Sequence, residues 1–415
     1  MPPRVVPGPR IETLRRDLAS GAGPAVLAYF WSEVEKTGTP LVAPAPDDPG
    51  DAVLTFVWRE RRPTRAVLLL VNKLADRADL GRSAMTRLPG TDLWHLTYQV
   101  RAEWSGSYQI APDDTGSPDD AGRVPPTGPA YWRELAGRAV ADPLNPETLP
   151  QHRPPHKSVA YGPATPRSGW WRPRPRVPAG AVDTVRVPTR LAGGPRRVWR
   201  YTPPGHRPGG GPYPLLVLLD GDVWGPLLPV APTLDNLIHA GLLPPLVALM
   251  PDSVDRPTRF TEYACRPEYV EFLRTDLIGH AGADLAVTDD PARTVVAGQS
   301  LGGLTAAFAG LTAPDRFGNV LAQSGAFWWQ SGTPDDAGAE WLGHEYAVTA
   351  RRPLRLHLEV GLDEWVNLRP NRHLRDVLLA RGYPVSYLEF AGGHDRLCWR
   401  ERFGDALASL LGAAR

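Results

Sequence analysis

Several kinds of residue and pattern are scarce or missing in this chain of 415 residues. It has only two cysteines, Cys265 and Cys398, which excludes a disulfide scaffold; reduced buried thiols are the expectation, with a single bridge as the alternative. No apolar run approaches the ~18 to 20 residues that a membrane span needs. Residues 1–10 are rich in proline and arginine and precede no apolar segment, unlike a secretory signal. These absences predict a cytoplasmic protein without a membrane partner.

The charges are balanced, and lysine is scarce. Forty-six basic and 45 acidic residues leave a net charge of +1, which argues against bulk attraction to nucleic acid. Only three of the basic residues are lysines, and arginine is the better residue for planar or multiply charged anions. Hydrophobic residues make up 42% of the chain and charged residues 22%, as is typical of a globular protein with a sizeable core. At this length we expect two domains.

The first part of the chain has the pattern of a β-rich domain. Two helical patterns occupy residues 11–37, and from about residue 40 to 125 short alternating runs are separated by turn residues. This spacing predicts an antiparallel β-sandwich. We interpret Trp58, Trp94 and Trp104 as packing residues of the sandwich, with a ligand platform as the alternative.

Proline, glycine and charged residues dominate residues 112–180, which include Pro125-Pro126 and Pro154-Pro155. Such a composition predicts an extended connector. We therefore place the domain boundary near residue 180, with one domain at residues 1–180 and the other at 181–415.

The second part alternates strand and helix patterns. Continuous apolar runs of the buried-strand type are followed by helical segments, an order that predicts a largely parallel sheet with helices on both faces. We predict a hairpin at 182–187 and 196–201, strands at 214–219, 246–250, 294–297, 319–323, 354–360 and 385–390, and helices at 233–239, 267–281 and 373–381. The fold class is thus α/β, preceded by a β-sandwich.

Ser300 lies at the centre of residues 293–310, where an apolar run, the sequence Gly-Gln-Ser-Leu-Gly and a helical segment of small residues follow one another. This order of strand, tight turn and helix is typical of a nucleophilic serine. Side chains at positions 298 and 302 are expected to collide with the neighbouring strand and helix, which explains the two glycines. The alternative is an ordinary glycine-rich turn.

A serine hydroxyl needs a base and an orienting acid to act as a nucleophile. His394 follows the last predicted strand, and Asp363 and Glu364 follow the strand before it. Ser300, an acid and then His394 is the chain order of α/β-hydrolases. Asp363 and Glu364 are adjacent and point to opposite sides, so only one of them can meet His394, and Asp395 is too close to it in sequence to orient it well.

The predicted oxyanion hole has two parts. The Leu301 backbone N–H at the start of the helix supplies one donor, and a backbone N–H near Gly221 or Asp222, after an earlier strand, supplies the other. A plain Asp-Gly turn is the alternative for the second part. No cluster of histidine and cysteine has the spacing of metal ligands.

The chain resembles the enterochelin (enterobactin) esterase family over nearly its whole length. In the first domain the resemblance rests on short motifs that are listed here as they stand in the sequence: Phe30-Trp31, Thr55-Phe56, Trp58-Arg59, Trp104, Gly106-Ser107-Tyr108 and Ala141-Asp142-Pro143-Leu144-Asn145-Pro146. In the second it rests on Leu218-Leu219-Asp220-Gly221, Trp224, Arg259, Glu262, Cys265, residues 294–300, Gln323-Ser324-Gly325, Gly392-Gly393-His394-Asp395 and Cys398-Trp399-Arg400.

The resemblance implies an immunoglobulin-like first domain and a triad of Ser300, His394 and Glu364, so Glu364 is preferred to Asp363. It implies hydrolysis of the ester bonds of a tricatecholate siderophore, ferric or iron-free, with iron arriving only as part of the substrate and with no cofactor. Arginines and tryptophans suit such flat, anionic rings. The candidate substrate-binding residues, each with a structural role as the alternative, are Trp224, Arg259, Trp329, Arg396 and Trp399.

Two departures from the family pattern, Arg266 and Arg396, leave the triad intact but leave the form of the substrate open. One alternative function is an esterase of the esterase D type that acts on another acyl ester. Another, from a different class, is a non-catalytic protein that binds a siderophore or a glycan through its β-sandwich. The subunit number and the preferred siderophore stay open as well.

Overall fold

The computed structural model of the protein describes residues 4–21, 23–76, 78–114, 128–191, 194–330 and 340–412. The chain forms two compact units. The first contains the described residues up to Pro166 together with Ala391–Cys398, and the second contains Arg167–Phe390 and the described residues from Trp399 onward. The boundary that the sequence predicts near residue 180 lies inside the second unit, and as a domain limit it stays a prediction.

Two antiparallel sheets make up the first unit. The larger sheet has the order β1-β6-β3-β2 with β5 paired to β6, and the smaller has the order β4-β7-β9-β8. Their strands are β1 Arg4–Val5, β2 Leu41–Pro44, β3 Asp51–Arg59, β4 Val67–Val71, β5 Thr86–Arg87, β6 Leu93–Arg101, β7 Ser105–Pro112, β8 Thr148–Leu149 and β9 Lys157–Tyr161. The predicted antiparallel β-sandwich is confirmed.

Strand β3 is buried on both faces, which explains its nearly continuous apolar sequence. Leu54 and Phe56 point into the core shared by the two sheets. Val57, on the opposite face, packs in a second cluster with Phe30 and Trp31. These two aromatic residues belong to α2 (Pro24–Thr37), which follows α1 (Pro9–Ala19). The two N-terminal helices therefore cover the outer face of the larger sheet.

The extended connector predicted for residues 112–180 is wrong in part. This stretch contains a helix, α3 (Pro129–Ala136), and the strands β8 and β9, of which β9 pairs with β7 over four residues. Pro125-Pro126 lies outside the described residues. The prolines flank the elements instead of replacing them, so composition alone concealed two strands of the sandwich.

The second unit is built on a sheet of eight strands in the order β10-β11-β13-β12-β14-β15-β16-β17. β10 and β11 form the predicted antiparallel hairpin, β11 pairs antiparallel with β13, and all later neighbours are parallel. The strands are β10 Ala181–Val187, β11 Arg196–Thr202, β12 Leu215–Leu218, β13 Val247–Pro251, β14 Thr294–Gln299, β15 Asn319–Gln323, β16 Arg355–Gly361 and β17 Val385–Phe390. The predicted α/β fold with a mostly parallel sheet is confirmed.

Helices alternate with these strands. They are α4 Ala231–His239, α5 Arg256–Glu262, α6 Pro267–Glu271, α7 Ile278–Ala281, α8 Leu301–Thr312, α9 Trp341–Val348, α10 Trp365–Ala380 and α11 Arg396–Leu411, with 3₁₀ turns at Leu80–Ser83 and Pro291–Arg293 and π-helical turns at Val223–Leu227 and Phe272–Leu277. Among the described residues, no helix is both long and apolar enough to cross a membrane. Since the carboxyl ends of parallel strands meet at one edge of a sheet, the loops after β12 to β17 mark where a site is expected.

Candidate active site

Ser300 occupies a strained turn between β14 and α8. Its backbone has φ 57° and ψ −119°, a left-handed conformation that costs a residue other than glycine about 1–3 kcal/mol. Hydrogen bonds hold it there: the Ser300 N–H donates to the Gln323 carbonyl at 3.0 Å, and the Ala326 N–H donates to the Ser300 carbonyl at 3.0 Å. The side chain is half-buried. The strand, turn and helix predicted around a nucleophilic serine are therefore present.

The glycines of this turn do not all act as predicted. A Cβ on Gly298 would lie 2.4 Å from the carbonyl carbon and oxygen of Gly302, so the strand and helix touch only because Gly298 has no side chain. A Cβ on Gly302 would come no closer than 3.4 Å to any neighbour, which is ordinary contact, so the collision predicted there is wrong. Gly303 is the tighter position, at 3.0 Å from the Cα of Gly325.

The loop after β12 approaches the neighbouring strand closely. A Cβ on Gly221 would lie 2.1 Å from the carbonyl oxygen of Met250, so this position accepts only glycine. The amides of Val223 and Trp224 both donate to the Asp220 carbonyl, at 2.9 and 3.1 Å. These two donors are therefore committed to the turn, and the contribution of Gly221 or Asp222 to an oxyanion hole stays a prediction.

Arg259 on α5 connects that loop to the Ser300 turn. Its guanidinium donates to both carboxylate oxygens of Asp220, at 2.6 and 2.8 Å, and to the carbonyl of Gln299 at 3.2 Å. Burial lowers the pKa of Arg259, but Asp220 more than offsets this and the pKa is raised. The pairing with Glu262 considered from the sequence is wrong, because Glu262 is bound by both terminal nitrogens of buried Arg196.

The two candidate acids differ in burial. Glu364 is fully buried, and its carboxylate accepts hydrogen bonds from Ser324 Oγ at 2.5 Å, from the Gly361 N–H at 2.9 Å and from Asn367 Nδ2 at 2.8 Å. Asp363 is half-buried. A carboxylate fixed by three donors is rigid, which is what an orienting acid requires. The choice of Glu364 as the acid stays a prediction, and this geometry favours it.

His394 lies between β17 and α11, in the segment 391–398 that belongs to the first unit. Its carbonyl accepts a hydrogen bond from Asn72 Nδ2 at 3.1 Å. The next residue, Asp395, accepts from the N–H and the hydroxyl of Ser107, at 2.7 and 2.6 Å. A Cβ on Gly393 would come within 2.5 Å of Lys73 Cγ. Asp395 thus anchors the histidine segment to the sandwich, in keeping with the view that it does not orient His394.

Two of the predicted substrate-binding tryptophans are buried. Trp224 is 2% exposed, donates from Nε1 to Gln299 Oε1 at 2.8 Å and stacks on Phe403. Trp399 is 7% exposed and donates from Nε1 to Ser324 Oγ at 2.8 Å. In this structure one indole supports Gln299, directly before Ser300, and the other supports Ser324, directly after the neighbouring strand β15. Both have the structural role that the sequence left open as the alternative.

The other predicted binding residues are more accessible. Trp329 is half-buried and packs edge-on against Trp341, and Arg396 is half-buried at the first turn of α11. Their contact with substrate stays a prediction. The described residues contain no group of three or more His, Cys, Asp or Glu that is able to hold a metal ion.

Comparisons with known proteins agree with this architecture. The family model for the N-terminal domain of enterochelin esterase matches residues 53–171, and the Esterase family model matches residues 190–410. An iron(III) enterobactin esterase from Dickeya dadantii is 33% identical, with 92% of this chain and 92% of the relative covered. An iron(III) salmochelin esterase from Escherichia coli is 29% identical, with 97% and 98% covered.

Solved structures show the same similarity. The ferric enterobactin esterase from Salmonella typhimurium has a TM-score of 0.77 and 32% identity, with 90% of this chain and 96% of that one covered. The Shigella flexneri enterobactin esterase, whose crystal structure was determined in the presence of enterobactin, has a TM-score of 0.74 and 30% identity over the same shares. By both its domain matches and its full-length relatives, the chain belongs to the enterobactin esterase family of hydrolases.

Proposed function

We propose that this protein is a serine esterase that hydrolyses the ester bonds of a catecholate siderophore trilactone such as enterobactin. The observation that carries the proposal is the strained turn that presents Ser300 between β14 and α8, in a chain whose full-length relatives are iron(III) enterobactin and salmochelin esterases. A residue whose backbone is held in an unfavourable conformation by surrounding hydrogen bonds is typical of a catalytic nucleophile.

In the proposed first half of the reaction, His394 removes the proton from the Ser300 hydroxyl as its oxygen attacks an ester carbonyl. The negative charge on the carbonyl oxygen is stabilised by the Leu301 N–H and by an N–H of Gly221 or Asp222. One such donor typically contributes about 10² to 10³ in rate. When the ester C–O bond breaks, the protonated His394 gives its proton to the departing serine hydroxyl of the substrate, and an acyl-enzyme remains.

In the second half, water replaces the substrate hydroxyl. His394 takes a proton from the water, whose oxygen attacks the acyl carbonyl, and the proton then returns to Ser300 as it leaves. One cycle opens the trilactone to a linear trimer. Further cycles yield a dimer and dihydroxybenzoylserine units, which hold iron less well than the intact ring.

Glu364 is the proposed acid that orients His394, with Asp363 as the alternative. The variants Glu364→Gln and Asp363→Asn distinguish the two candidates, when kcat is compared between variants of equal stability. Loss of about 10² or more in kcat for the first substitution alone supports Glu364, in line with the large loss when a triad acid is made neutral. The reverse result transfers the role to Asp363.

Several finer features belong to the same proposal. We propose that the substrate is taken in either its ferric or its iron-free form, and that iron comes with the substrate while no cofactor is needed for the ester chemistry. We also propose that the protein acts in the cytoplasm and has neither a nucleic acid nor a membrane as partner.

The test is chromatographic analysis of products after the protein is mixed with ferric or iron-free enterobactin. Linear trimer, dimer and monomer are expected from the unmodified protein, and none from Ser300→Ala, which should still bind the siderophore. Turnover that survives in Ser300→Ala would overturn the assignment of the nucleophile.

The two alternative functions give different results in the same assay. Turnover of a simple 4-nitrophenyl ester without any cleavage of enterobactin would indicate an esterase for another acyl ester. Binding of the siderophore without turnover of either ester would indicate a non-catalytic binding protein.

A further inference from the structure

Few large aromatic side chains are exposed in the described part of the chain, and most of those that are follow strands of the parallel sheet. In the described part of the chain four such side chains are exposed: Tyr29 on α2, and Phe260, Trp328 and Trp365 in the second unit. The last three are 48%, 38% and 51% exposed. Exposed apolar surface that is concentrated in one region is typical of a binding site.

These three residues follow three different strands of the parallel sheet. Phe260 is in α5, after β13; Trp328 is in the loop after β15; and Trp365 is the first residue of α10, after β16. All three strands end at the edge of the sheet where β14 leads into Ser300. The nucleophile strand therefore lies between the strand that carries Phe260 and the strands that carry the two tryptophans.

Hydrogen bonds fix the segments of Phe260 and Trp328 against the nucleophile turn and join α10 to the loop of Trp328. Arg259, next to Phe260, donates to the carbonyl of Gln299 at 3.2 Å. The N–H of Ala326, two residues before Trp328, donates to the Ser300 carbonyl at 3.0 Å. Asn371 on α10 donates to the carbonyl of Gly325, in the same loop as Trp328, at 2.8 Å. The aromatic residues are thus carried by a rigid frame around Ser300.

Arginines accompany two of the rings. The guanidinium of Arg256 lies 5.4 Å from the ring centroid of Phe260. Exposed Arg369 lies four residues after Trp365, on the same face of α10. A flat ring beside a guanidinium suits a ligand that is both aromatic and anionic, because the ring stacks while the cation pairs with the charge.

We propose that Phe260, Trp328 and Trp365 form an aromatic binding surface that contacts the catechol rings of the substrate and gives the enzyme its preference for catecholate esters. This rests on the proposed function. Three exposed rings, held by three segments around one nucleophile, match a substrate that carries three catechols around one trilactone. The residues of this surface differ from the candidate binding residues named from the sequence, of which Trp224 and Trp399 are buried in the structure.

The test compares Phe260→Ala, Trp328→Ala, Trp365→Ala and the triple variant with two controls. The controls, Tyr29→Ala on α2 and Leu379→Ala at the far end of α10, remove side chains that are at least as exposed. Each protein is assayed with enterobactin and with 4-nitrophenyl acetate, which has no catechol, and the ratio of the two kcat/KM values is the readout. An aromatic pair contributes about 0.5–1.5 kcal/mol, so we expect this ratio to fall about 2- to 10-fold per ring, mainly through KM. The control variants should keep the ratio of the unmodified protein.

A binding titration keeps the inference testable apart from catalysis. In the Ser300→Ala background, the affinity for ferric enterobactin should weaken by the same factors when the rings are removed. The affinity for 2,3-dihydroxybenzoylserine, which has one catechol, should weaken by no more than the factor of one ring. A triple variant whose ratio and affinity are both unchanged would overturn the aromatic binding surface while leaving the esterase in place. Failure of the unmodified protein to cleave enterobactin, with ring-dependent binding intact, would instead overturn the proposed function and support the surface.

Discussion

The substitution Ser324→Ala tests the support beneath the candidate acid. Ser324 donates from its hydroxyl to the Glu364 carboxylate at 2.5 Å and accepts from Trp399 Nε1 at 2.8 Å, and all three side chains are buried. Alanine removes both hydrogen bonds at once. It leaves a buried carboxylate with one donor fewer and a buried indole N–H that has lost its acceptor.

The expected cost follows from these two bonds. A hydrogen bond to a charged group contributes about 1.5–3 kcal/mol, and a buried donor left without a partner costs about 1–3 kcal/mol. Allowing for relaxation of the indole, we expect the free energy of unfolding of the second unit to fall by about 3 kcal/mol. For a unit of this size, that corresponds to a decrease in Tm of about 6–12 °C.

Differential scanning calorimetry measures this decrease directly. Ser20→Ala is the matched control, because the Ser20 hydroxyl donates to the Asp17 carbonyl on the exposed surface, and it should shift Tm by no more than about 1–2 °C. If the Ser324→Ala protein has the same Tm as the Ser20→Ala control, the view that these bonds hold Glu364 in place is refuted.

Three further predictions concern stability. Gly298→Ala should destabilise the second unit by about 3 kcal/mol or more, because its Cβ would meet the backbone at 2.4 Å, whereas Gly302→Ala should change stability by less than about 1 kcal/mol; urea unfolding of the pair distinguishes them. Arg259→Ala should cost about 3–5 kcal/mol by leaving Asp220 buried without its partner, and Asp220→Asn made together with it should recover part of that loss. Burial lowers the pKa of His95 below 6.5, so as the pH falls His95 is protonated in the unfolded chain before it is protonated in the folded one. The free energy of unfolding should therefore fall as the pH drops through about 6.5. His95→Gln should flatten that fall, and an unchanged slope would exclude His95 as its cause.

Local signals account for the parts of the fold that the sequence predicted correctly. The turn at Ser300 needs a short apolar strand, a small residue where the helix touches it, and a helix of small residues, and all of these lie within a single stretch of chain. Short apolar runs likewise predict the hairpin of β10 and β11 and the parallel strands after it. Such features depend on neighbours in sequence, which a pattern can detect.

Features that depend on distant partners escaped prediction. Arg259 pairs with Asp220 across 39 positions in the chain, while the nearer acid Glu262 pairs with Arg196 across 66. The sequence offers Arg259 a carboxylate three residues away on the same helix, and only the folded sheet brings Asp220 closer. The buried roles of Trp224 and Trp399 have the same origin, because their Nε1 acceptors each lie 75 positions away.

These long-range hydrogen bonds explain why Trp224 and Trp399, which the sequence suggests as binding residues, are buried while other tryptophans are exposed. A tryptophan near the turn of an active site serves either as a buried donor that holds the turn or as an exposed ring that meets a ligand, and its sequence context is the same in both cases. Trp224 and Trp399 find acceptors on Gln299 and Ser324, next to the ends of β14 and β15, and are buried there. Trp365 directly follows the buried Glu364 and is 51% exposed as the first residue of α10, so the acid is held inside while the ring stays outside. The fold thus uses Trp224 and Trp399 as buried hydrogen-bond donors, while contact of Trp329 and Arg396 with substrate stays a prediction.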